Sequence, residues 1–325
     1  MALQDKKPAP LEFEQPLALL AQQIEALEKQ LVDNPNPELD QDIAQLQEQY
    51  HHLRRSLYTI LRAIDRLAIA RHPQRPYTRD YLDRWDPGWV ELHGDRKGAD
   101  DPALVGGLLE LEEFNVVVLG TQKGRALRDK QKCNFGMPQP EGYRKALRLM
   151  QHAEKFALPV VTIIDTPGAY PGMTAEEHNQ SQAIAMNLRE LSGLLVPVVA
   201  VVTGEGGSGG ALAIGVANRI LMLENSVYSV ISPEGCASIL WRSSDKVKEA
   251  CEAMKMTAKE LLQLGVIDEV IGETLGGAHH DYEFTVNNVK EAVLRHLRQL
   301  SKYSGPDIKA DRQAKFRKVG SFVET

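Results

Sequence analysis

Apolar side chains near the N-terminus recur every three or four residues, which is the spacing of one face of a helix. One series runs from Leu17 to Leu31 and a second from Leu39 to Leu57, and the segment "DNPNPE" separates them. Two such stripes joined by a proline-rich turn predict an antiparallel helical hairpin. We expect this hairpin to pack on the rest of the chain or on a partner and to have no catalytic role.

A third helix is predicted after the hairpin, from about residue 59 to 71. Pro73 and Pro76 end it, because proline disfavours helical backbone in the residue before it. We therefore divide the chain into an N-terminal helical arm, residues 1–72, and a body, residues 73–325, which ends in a helical tail.

In the body, short runs rich in β-branched residues alternate with helix-like segments. The strand-like runs are "NVVVLG" from Asn115, "PVVTIID" from Pro159, "PVVAVVTG" from Pro197 and "RILMLEN" from Arg219. The helix-like segments cover about 141–156 and 175–191, with a short one from about residue 210. This alternation predicts an α/β fold whose parallel strands are buried on both faces.

One part of the body resembles another part. The stretch "LPVVTIIDTPGAYPG" from Leu158 aligns without gaps to "VPVVAVVTGEGGSGG" from Val196, 38 residues later. Each copy consists of a strand, a glycine-rich loop and the start of a helix. Repetition of such a unit predicts a solenoid-like stack in which successive loops emerge on one side. The two glycine-rich loops should then line one cleft.

Composition narrows the function classes. The 325 residues carry a formal net charge of −6, so no overall attraction to nucleic acid or to anionic membranes is expected. The longest apolar run, Leu194 to Val202, is too short to span a bilayer. Three cysteines at wide spacing suit neither a zinc site nor a disulfide framework. The first thirty residues also lack the features of a signal or transit peptide, so we expect a reducing, cytoplasmic setting.

The glycine-rich stretch "GEGGSGGALA", Gly204 to Ala213, is the strongest chemical signal, and it has several interpretations. Backbone N–H groups at the start of a helix favour an anion or a developing oxyanion. Glycine there can also simply permit close packing of the helix on the strand. A nicotinamide-dependent enzyme would use the pattern Gly204, Gly206 and Gly209, with Glu224 as the ribose-binding acid.

A serine hydrolase is a further alternative. The pattern G-x-S-x-G would make Ser208 the nucleophile, and Asp268 with His279 or His280 would complete a triad in the chain order of α/β-hydrolases. A scaffold that only assembles partners is the alternative outside the enzymes.

A further interpretation comes from resemblance to a known family. Eight segments, in order, resemble the carboxyltransferase α subunit of bacterial-type acetyl-CoA carboxylase. They are "ARHPQRPYT", "ELHGDR", "DDPALVGG", "QKGR", "NFGMPQPEGYRKALRLM", "IDTPGAYPG", "GEGGSGGALAIG" and "YSVISPEGCASILW". The resemblance extends from the helical arm to about Ala278.

The resemblance implies a crotonase-like fold, a superhelix of strand-strand-helix turns, which agrees with the internal repeat. It also implies transfer of a carboxyl group from carboxybiotin, carried on a biotin carboxyl carrier protein, to acetyl-CoA, giving malonyl-CoA. This is the first committed step of fatty-acid synthesis. No covalently bound cofactor is expected on this chain.

The resemblance also implies the site residues. Backbone N–H groups of Gly206 and Gly207 would form an oxyanion hole, which we expect to hold the biotin oxygen because related carboxyltransferases place CoA mainly on the β-type half. The implied substrate-binding residues are Gly168, Ala169, Tyr170, Pro171, Gly172, Gly209, Gly210, Lys123 and Arg125. Asp165 and Glu205 are expected to cap a loop or a helix, not to act as bases.

Lys123 and Arg125 begin a segment, 123–148, that carries a net charge of +6. We expect this segment to be a solvated helix face or an anion surface for CoA phosphates or for acidic stretches of a partner.

The resemblance also implies partner proteins. They are a β subunit that carries the zinc ribbon and its own oxyanion hole, in an α2β2 assembly, together with the carrier protein and biotin carboxylase of the ATP-dependent complex. This sequence has neither the zinc ribbon nor the second oxyanion hole, so the chain alone is expected to be inactive.

Overall fold

The computed structural model describes residues 9–320, and most of their helices cover one mixed sheet. The helices are α1 (Gln15–Asp33), α2 (Pro37–Thr59), α3 (Ala63–Ala70), α4 (Thr78–Trp85), α5 (Leu127–Lys132), α6 (Pro140–Lys155), α7 (Met173–Glu177), α8 (Gln180–Gly193), α9 (Ser208–Leu212), α10 (Pro233–Trp241), α11 (Val247–Ala253), α12 (Ala258–Gln263), α13 (Tyr282–Leu300) and α14 (Gly305–Lys318).

The strands form one sheet in the order β1-β2-β3-β4-β5-β6-β8, and β7 pairs with the end of β5. They are β1 (Val90–Glu91), β2 (Leu104–Leu111), β3 (Phe114–Thr121), β4 (Val160–Thr166), β5 (Val198–Gly207), β6 (Arg219–Leu223), β7 (Val227–Ser229) and β8 (Glu269–Ile271). Strands β3 to β8 pair in parallel, as predicted. Strands β1, β2 and β3 pair antiparallel, and the sequence analysis did not predict β1 and β2.

The core has two layers because successive strand residues point to opposite faces. On one face Val160 and Ile164 of β4 pack with α6 and α8, and on the other Val161 and Ile163 pack with α4 and α13. Helix α13 is therefore part of the body's core.

The 38-residue internal repeat corresponds to the register of β4 on β5. Val160 pairs with Val198, and this offset holds as far as Ile164 and Val202. Beyond them the register shifts, so that Thr166 pairs with Gly206. The irregularity places extra backbone in β5 at Thr203 to Glu205, where the first glycine of the rich stretch occurs.

The N-terminal hairpin is confirmed, because α1 and α2 pack against each other. Asn36 ends the turn by accepting a hydrogen bond from the Glu38 N–H. The arm contacts the body through Arg54, which donates to the Leu275 carbonyl at 2.6 Å. Residues 1–8 and 321–325, at the two ends of the predicted arm and body, lie outside the described residues. The boundary at residue 72 stays a prediction.

Two predicted helices differ in extent from the observed ones. The third begins at Ala63 instead of Thr59. The helix predicted over 175–191 is divided into α7 and α8, because Asn179 between them adopts a left-handed conformation with φ +66°.

A buried ion pair connects the sheet to the segment before α4. Arg75 donates to both carboxylate oxygens of Glu273, at 2.8 and 2.9 Å, and the two side chains are 1% and 0% exposed. The same guanidinium donates to the Thr203 carbonyl at 2.6 Å. Arg75 thus fixes the irregular part of β5 just before the glycines.

Within residues 9–320, none of the helices combines the length and apolar character needed to cross a membrane. The same residues contain no cluster of three His, Cys, Asp or Glu side chains suited to a metal ion.

Candidate active site

The glycine-rich stretch is less of a loop than its sequence predicts. Strand β5 continues through Gly204, Gly206 and Gly207, and helix α9 begins at once with Ser208. Residues 205–207 pair with β7, so the stretch is held on the side of β7 as well as on that of β4. The backbone of Gly206 and Gly207 is therefore part of a sheet.

Steric contacts explain why glycine is needed here. A Cβ atom on Gly207 would lie 2.1 Å from the carbonyl oxygen of Pro167, and one on Gly210 would lie 2.4 Å from the Ala169 nitrogen. Both obstacles are backbone atoms, which cannot rotate away. The two glycine-rich segments, 166–172 and 204–213, therefore lie in direct contact, as the repeat predicted. A side chain at Gly207 or Gly210 would push them apart.

The segment 166–172 has its own fixed shape. The Thr166 hydroxyl accepts from the Gly168 N–H at 3.0 Å, and Gly168 adopts a φ of +151° that favours glycine. Tyr170 is anchored by its backbone, since its N–H donates to the Pro138 carbonyl at 3.0 Å. Its ring packs over Gly172, where a Cβ would lie 2.2 Å from the ring. Pro171 is exposed.

Two hollows adjoin the glycine segment. A narrow cleft is lined by Arg71, Pro167, Glu205, Gly206, Gly207 and Ser229, among others. A larger cavity of about 570 Å³ begins at Ser208 and Gly209. Its walls are mostly apolar side chains from α9, α12, α14 and the segments that follow β7 and α11, including Leu212, Val230, Ile231, Met254, Leu261 and Phe316. Such a surface suits an apolar ligand face close to the glycine backbone.

A network of charged side chains lies beside the cleft. The Lys123 ammonium donates to Asp165 at 2.8 Å and to Glu205 at 3.3 Å. Arg71 donates to the other oxygen of Glu205 at 2.6 Å and to Glu234 at 2.5 Å. Asp165 also accepts the Glu205 N–H at 2.9 Å. Asp165 and Glu205 are thus both ion-pair partners of Lys123. Asp165 also caps a backbone N–H of the irregular part of β5, but neither carboxylate caps a helix as the sequence suggested.

Neighbouring opposite charges keep Lys123 and Glu205 ionised. Burial raises the pKa of Glu205, but Lys123 and Arg71 outweigh burial and leave that pKa below its ordinary value. Burial likewise lowers the pKa of Lys123, and the Asp165 and Glu205 carboxylates outweigh it, so that the pKa lies above its ordinary value. Because both oxygens of the charged Glu205 carboxylate accept from cations and its pKa is lowered, Glu205 is a weak base.

Only part of the basic segment 123–148 is exposed to solvent. Lys145 is buried and donates to Asp100 at 2.5 Å, and Arg144 donates to Asp95 at 2.8 Å. Arg125 is exposed but engaged, since its guanidinium stacks 4.0 Å above the Tyr77 ring. These contacts neutralise part of the charge that the sequence suggested for binding anions. The role of Lys123 and Arg125 in binding substrate stays a prediction.

With the geometry in place, comparison with known proteins decides the family. The model of the family described as "Acetyl co-enzyme A carboxylase carboxyltransferase-like" matches residues 10–320. The chain belongs to this family. Among its curated relatives are the acetyl-coenzyme A carboxylase carboxyl transferase subunits alpha of Synechococcus elongatus and Methylococcus capsulatus. The first is 50% identical to this chain, over 98% of this chain and 98% of its own length. The second is 52% identical, over 97% of this chain and 98% of its own length.

Solved structures agree on the fold. A transcarboxylase 12S with bound methylmalonyl-coenzyme A superposes with a TM-score of 0.58 at 19% identity, over 70% of this chain and 42% of that one. A Pseudomonas malonate decarboxylase hetero-tetramer in complex with coenzyme A superposes with a TM-score of 0.57 at 17% identity, over 73% of this chain and 95% of that one. This confirms the predicted crotonase-like α/β fold.

Membership of the carboxyltransferase-like family favours neither of the two other enzyme interpretations, and local geometry argues against both. Ser208 does occupy a sharp strand-to-helix turn with φ +54°. However, His279 stacks on His72 at 3.7 Å, and Asp268 accepts from the Ile220 N–H and from Lys315. No hydrogen bond within residues 9–320 joins Ser208 to a histidine.

The nicotinamide interpretation fails on space. A Cβ on Gly204 would lie 2.2 Å from an Asp165 carboxylate oxygen, and Gly204 itself is buried. The Asp165 side chain therefore occupies the place beside this glycine that a pyrophosphate would need.

Sequence reasoning missed Arg71 and Tyr228 in this carboxyltransferase-like site. Arg71 lies in the quoted run "ARHPQRPYT", at the end of α3, and holds Glu205. The Tyr228 ring fills the space beside Gly206, where a Cβ would lie 2.7 Å from it. Neither residue has a sequence signal of its own, because both act through contacts between distant segments.

Proposed function

We propose that this chain is the α half of a carboxyltransferase that moves a carboxyl group from carboxybiotin, presented by a carrier protein, to acetyl-CoA, giving malonyl-CoA. The observation that carries this proposal is 50% identity over 98% of the chain to a protein named acetyl-coenzyme A carboxylase carboxyl transferase subunit alpha. Identity of this extent covers the whole body, including both glycine-rich segments.

The chemistry suits a site made of backbone groups. The bond between the biotin nitrogen and the carboxyl carbon breaks, which releases CO2 and leaves negative charge on the ureido oxygen of biotin. The biotin nitrogen then accepts a methyl proton from acetyl-CoA, so no side-chain base is required. The resulting enolate, with charge on the thioester oxygen, attacks CO2 to give malonyl-CoA. Fixed N–H donors stabilise charge that develops on such oxygens.

We assign the N–H groups of Gly206 and Gly207 to one of these oxygens and favour the biotin oxygen. Both residues line the narrow cleft, and sheet pairing fixes their backbone. Glu205 next to them is held in two ion pairs, which supports a mechanism without a carboxylate base. We further assign Gly168 to Gly172, Gly209 and Gly210 to the walls that receive substrate.

The proposed assembly follows from the incomplete site. A second oxyanion needs a second set of donors, which we assign to a zinc-ribbon β subunit in an α2β2 complex. Biotin carboxylase and the biotin carboxyl carrier protein would supply the carboxylated biotin in the ATP-dependent step. We place this complex in the cytoplasm.

Replacement of Ser208 with alanine tests the proposal against the hydrolase. Transfer of the carboxyl group from malonyl-CoA to a free biotin derivative, measured with the β subunit present, should retain activity within about threefold, because the working donors are backbone groups. A hydrolase would instead lose its ester cleavage by about 10⁴-fold or more. Loss of transfer on that scale, in a variant that still binds the β subunit, would contradict the assignment.

A further inference from the structure

We propose that Lys123 is a positioning residue that holds the two glycine-rich segments at their working separation. Its ammonium pairs with one carboxylate from each segment, Asp165 at the end of β4 and Glu205 near the end of β5. This inference rests on the proposed carboxyltransferase function and adds a residue that acts through the backbone of Gly206 and Gly207.

The contacts place one cation between two segments that must not drift apart. Lys123 Nζ lies 2.8 Å from the Asp165 Oδ1 and 3.3 Å from the Glu205 Oε1. The same Asp165 oxygen accepts the Glu205 N–H at 2.9 Å. Glu205 is followed directly by Gly206, so a movement of its carboxylate or N–H moves the proposed oxyanion donors.

The lysine side chain itself is held in one place. It is 15% exposed, and a Cβ on Gly136 would lie 2.6 Å from its Cγ, so the neighbouring backbone packs on its stem. Lys123 is not among the residues that line the narrow cleft. Its charge therefore faces the carboxylates and not a substrate.

The balance of charge around Lys123 predicts how its removal changes the pH dependence of activity. The groups that face one another here are Lys123, Asp165 from β4, Glu205 from β5, Arg71 directly after α3 and Glu234 from α10. The Tyr77 hydroxyl interacts electrostatically with Lys123, and the Arg75 guanidinium interacts with Asp165.

Without Lys123, Arg71 would still pair with Glu205 and Glu234, but Asp165 would lose the ammonium that lies between it and Glu205. Burial raises the pKa of Glu205 and Lys123 is the first of the groups that lower it, so removal of Lys123 raises that pKa. A proton bound to Glu205 at low pH then replaces the positive charge of the ammonium.

The test compares Lys123→Met with the charge-balanced double variant Lys123→Met/Asp165→Asn. The matched control is Lys302→Met, which removes an exposed lysine after α13. Each full-length chain is combined with the β subunit, and kcat and KM for carboxyl transfer from malonyl-CoA to a biotin derivative are measured from pH 5.5 to 8.5. Melting temperature and complex formation are measured alongside.

For Lys123→Met we expect kcat at pH 8 to fall by about 30- to 100-fold, since displacement of a catalytic group by about 1 Å can have an effect of that size. KM should change by less than about threefold. Relative to wild type, kcat should rise as pH falls, because protonation restores the wild-type charge of the network, and it should be lost again as pH rises. The double variant should recover about tenfold at pH 8 and lose this extra pH dependence. The control should match wild type.

Several outcomes overturn the inference. A Lys123→Met enzyme with wild-type kcat, or with a pH profile parallel to wild type, excludes a positioning role. A rise in KM with unchanged kcat would make Lys123 a substrate ligand instead. If both Lys123 variants melt below the assay temperature, the residue serves folding and the inference fails. Absence of transfer by the wild-type pair is a different result, because it rejects the proposed function itself.

Discussion

Replacement of Gly207 with alanine is expected to lower kcat/KM for carboxyl transfer by about 100-fold or more. The new Cβ would lie 2.1 Å from the Pro167 oxygen and 2.3 Å from its carbonyl carbon. The φ of Gly207 is −97°, which alanine adopts freely, so the effect comes from this clash alone. Either β5 or the segment 166–172 must move by about 1 Å, and displacement of oxyanion donors by that distance has a large cost.

The matched control is Gly193→Ala at the end of α8, where a Cβ would meet nothing within 4 Å. Its activity should equal that of wild type. Both variants are assayed with the β subunit by release of acetyl-CoA from malonyl-CoA, after gel filtration shows that the complex forms. A Gly207→Ala complex with full activity would mean that the backbone at this position does not take part. The function of a scaffold that only assembles partners would likewise be unaffected by Gly207→Ala.

Replacement of Arg75 with methionine is expected to lower the free energy of unfolding by about 3–5 kcal/mol, the usual cost of leaving one member of a buried ion pair without its partner. Glu273 is 0% exposed and would keep its charge in the core, and the Thr203 carbonyl would lose its donor. Denaturant unfolding at neutral pH measures the change. The loss should shrink in acid, because Glu273 without Arg75 has a raised pKa and becomes neutral when it binds a proton.

The comparison variant is Arg84→Met, which breaks an ion pair with Glu283 at the surface, where the side chains are 36% and 72% exposed. That change should cost no more than about 1 kcal/mol. Equal losses for the two variants would show that burial of the Arg75 pair contributes nothing, and that β5 is fixed by other contacts.

Local patterns were enough to predict most elements of the fold. Runs such as "PVVTIID" and "PVVAVVTG" are buried on both faces, and their uniform apolar character predicts parallel strands. The 38-residue repeat predicts neighbouring units, and its offset equals the observed strand register up to Ile164 and Val202. The antiparallel edge was not predicted, because the two glycines in β2 weaken the pattern of a strand.

The site was predicted less completely, for physical reasons. Glycine at 207 and 210 can be read in the sequence, but the reason for it is the backbone of Pro167 and Ala169, about 40 residues away, which only the fold brings near. The charge of Lys123 suggested a ligand for phosphate. Its burial between two carboxylates depends on long-range contacts that no local pattern encodes.

The most direct test of the half-site is a titration with the β subunit. Release of acetyl-CoA from malonyl-CoA, with a free biotin derivative as acceptor, is measured with this chain alone and then with increasing amounts of a zinc-ribbon β subunit. We expect no turnover from the chain alone and a rise that saturates at equal amounts of the two chains. Turnover by the chain alone, or none at any ratio in a complex that has formed, would contradict the account.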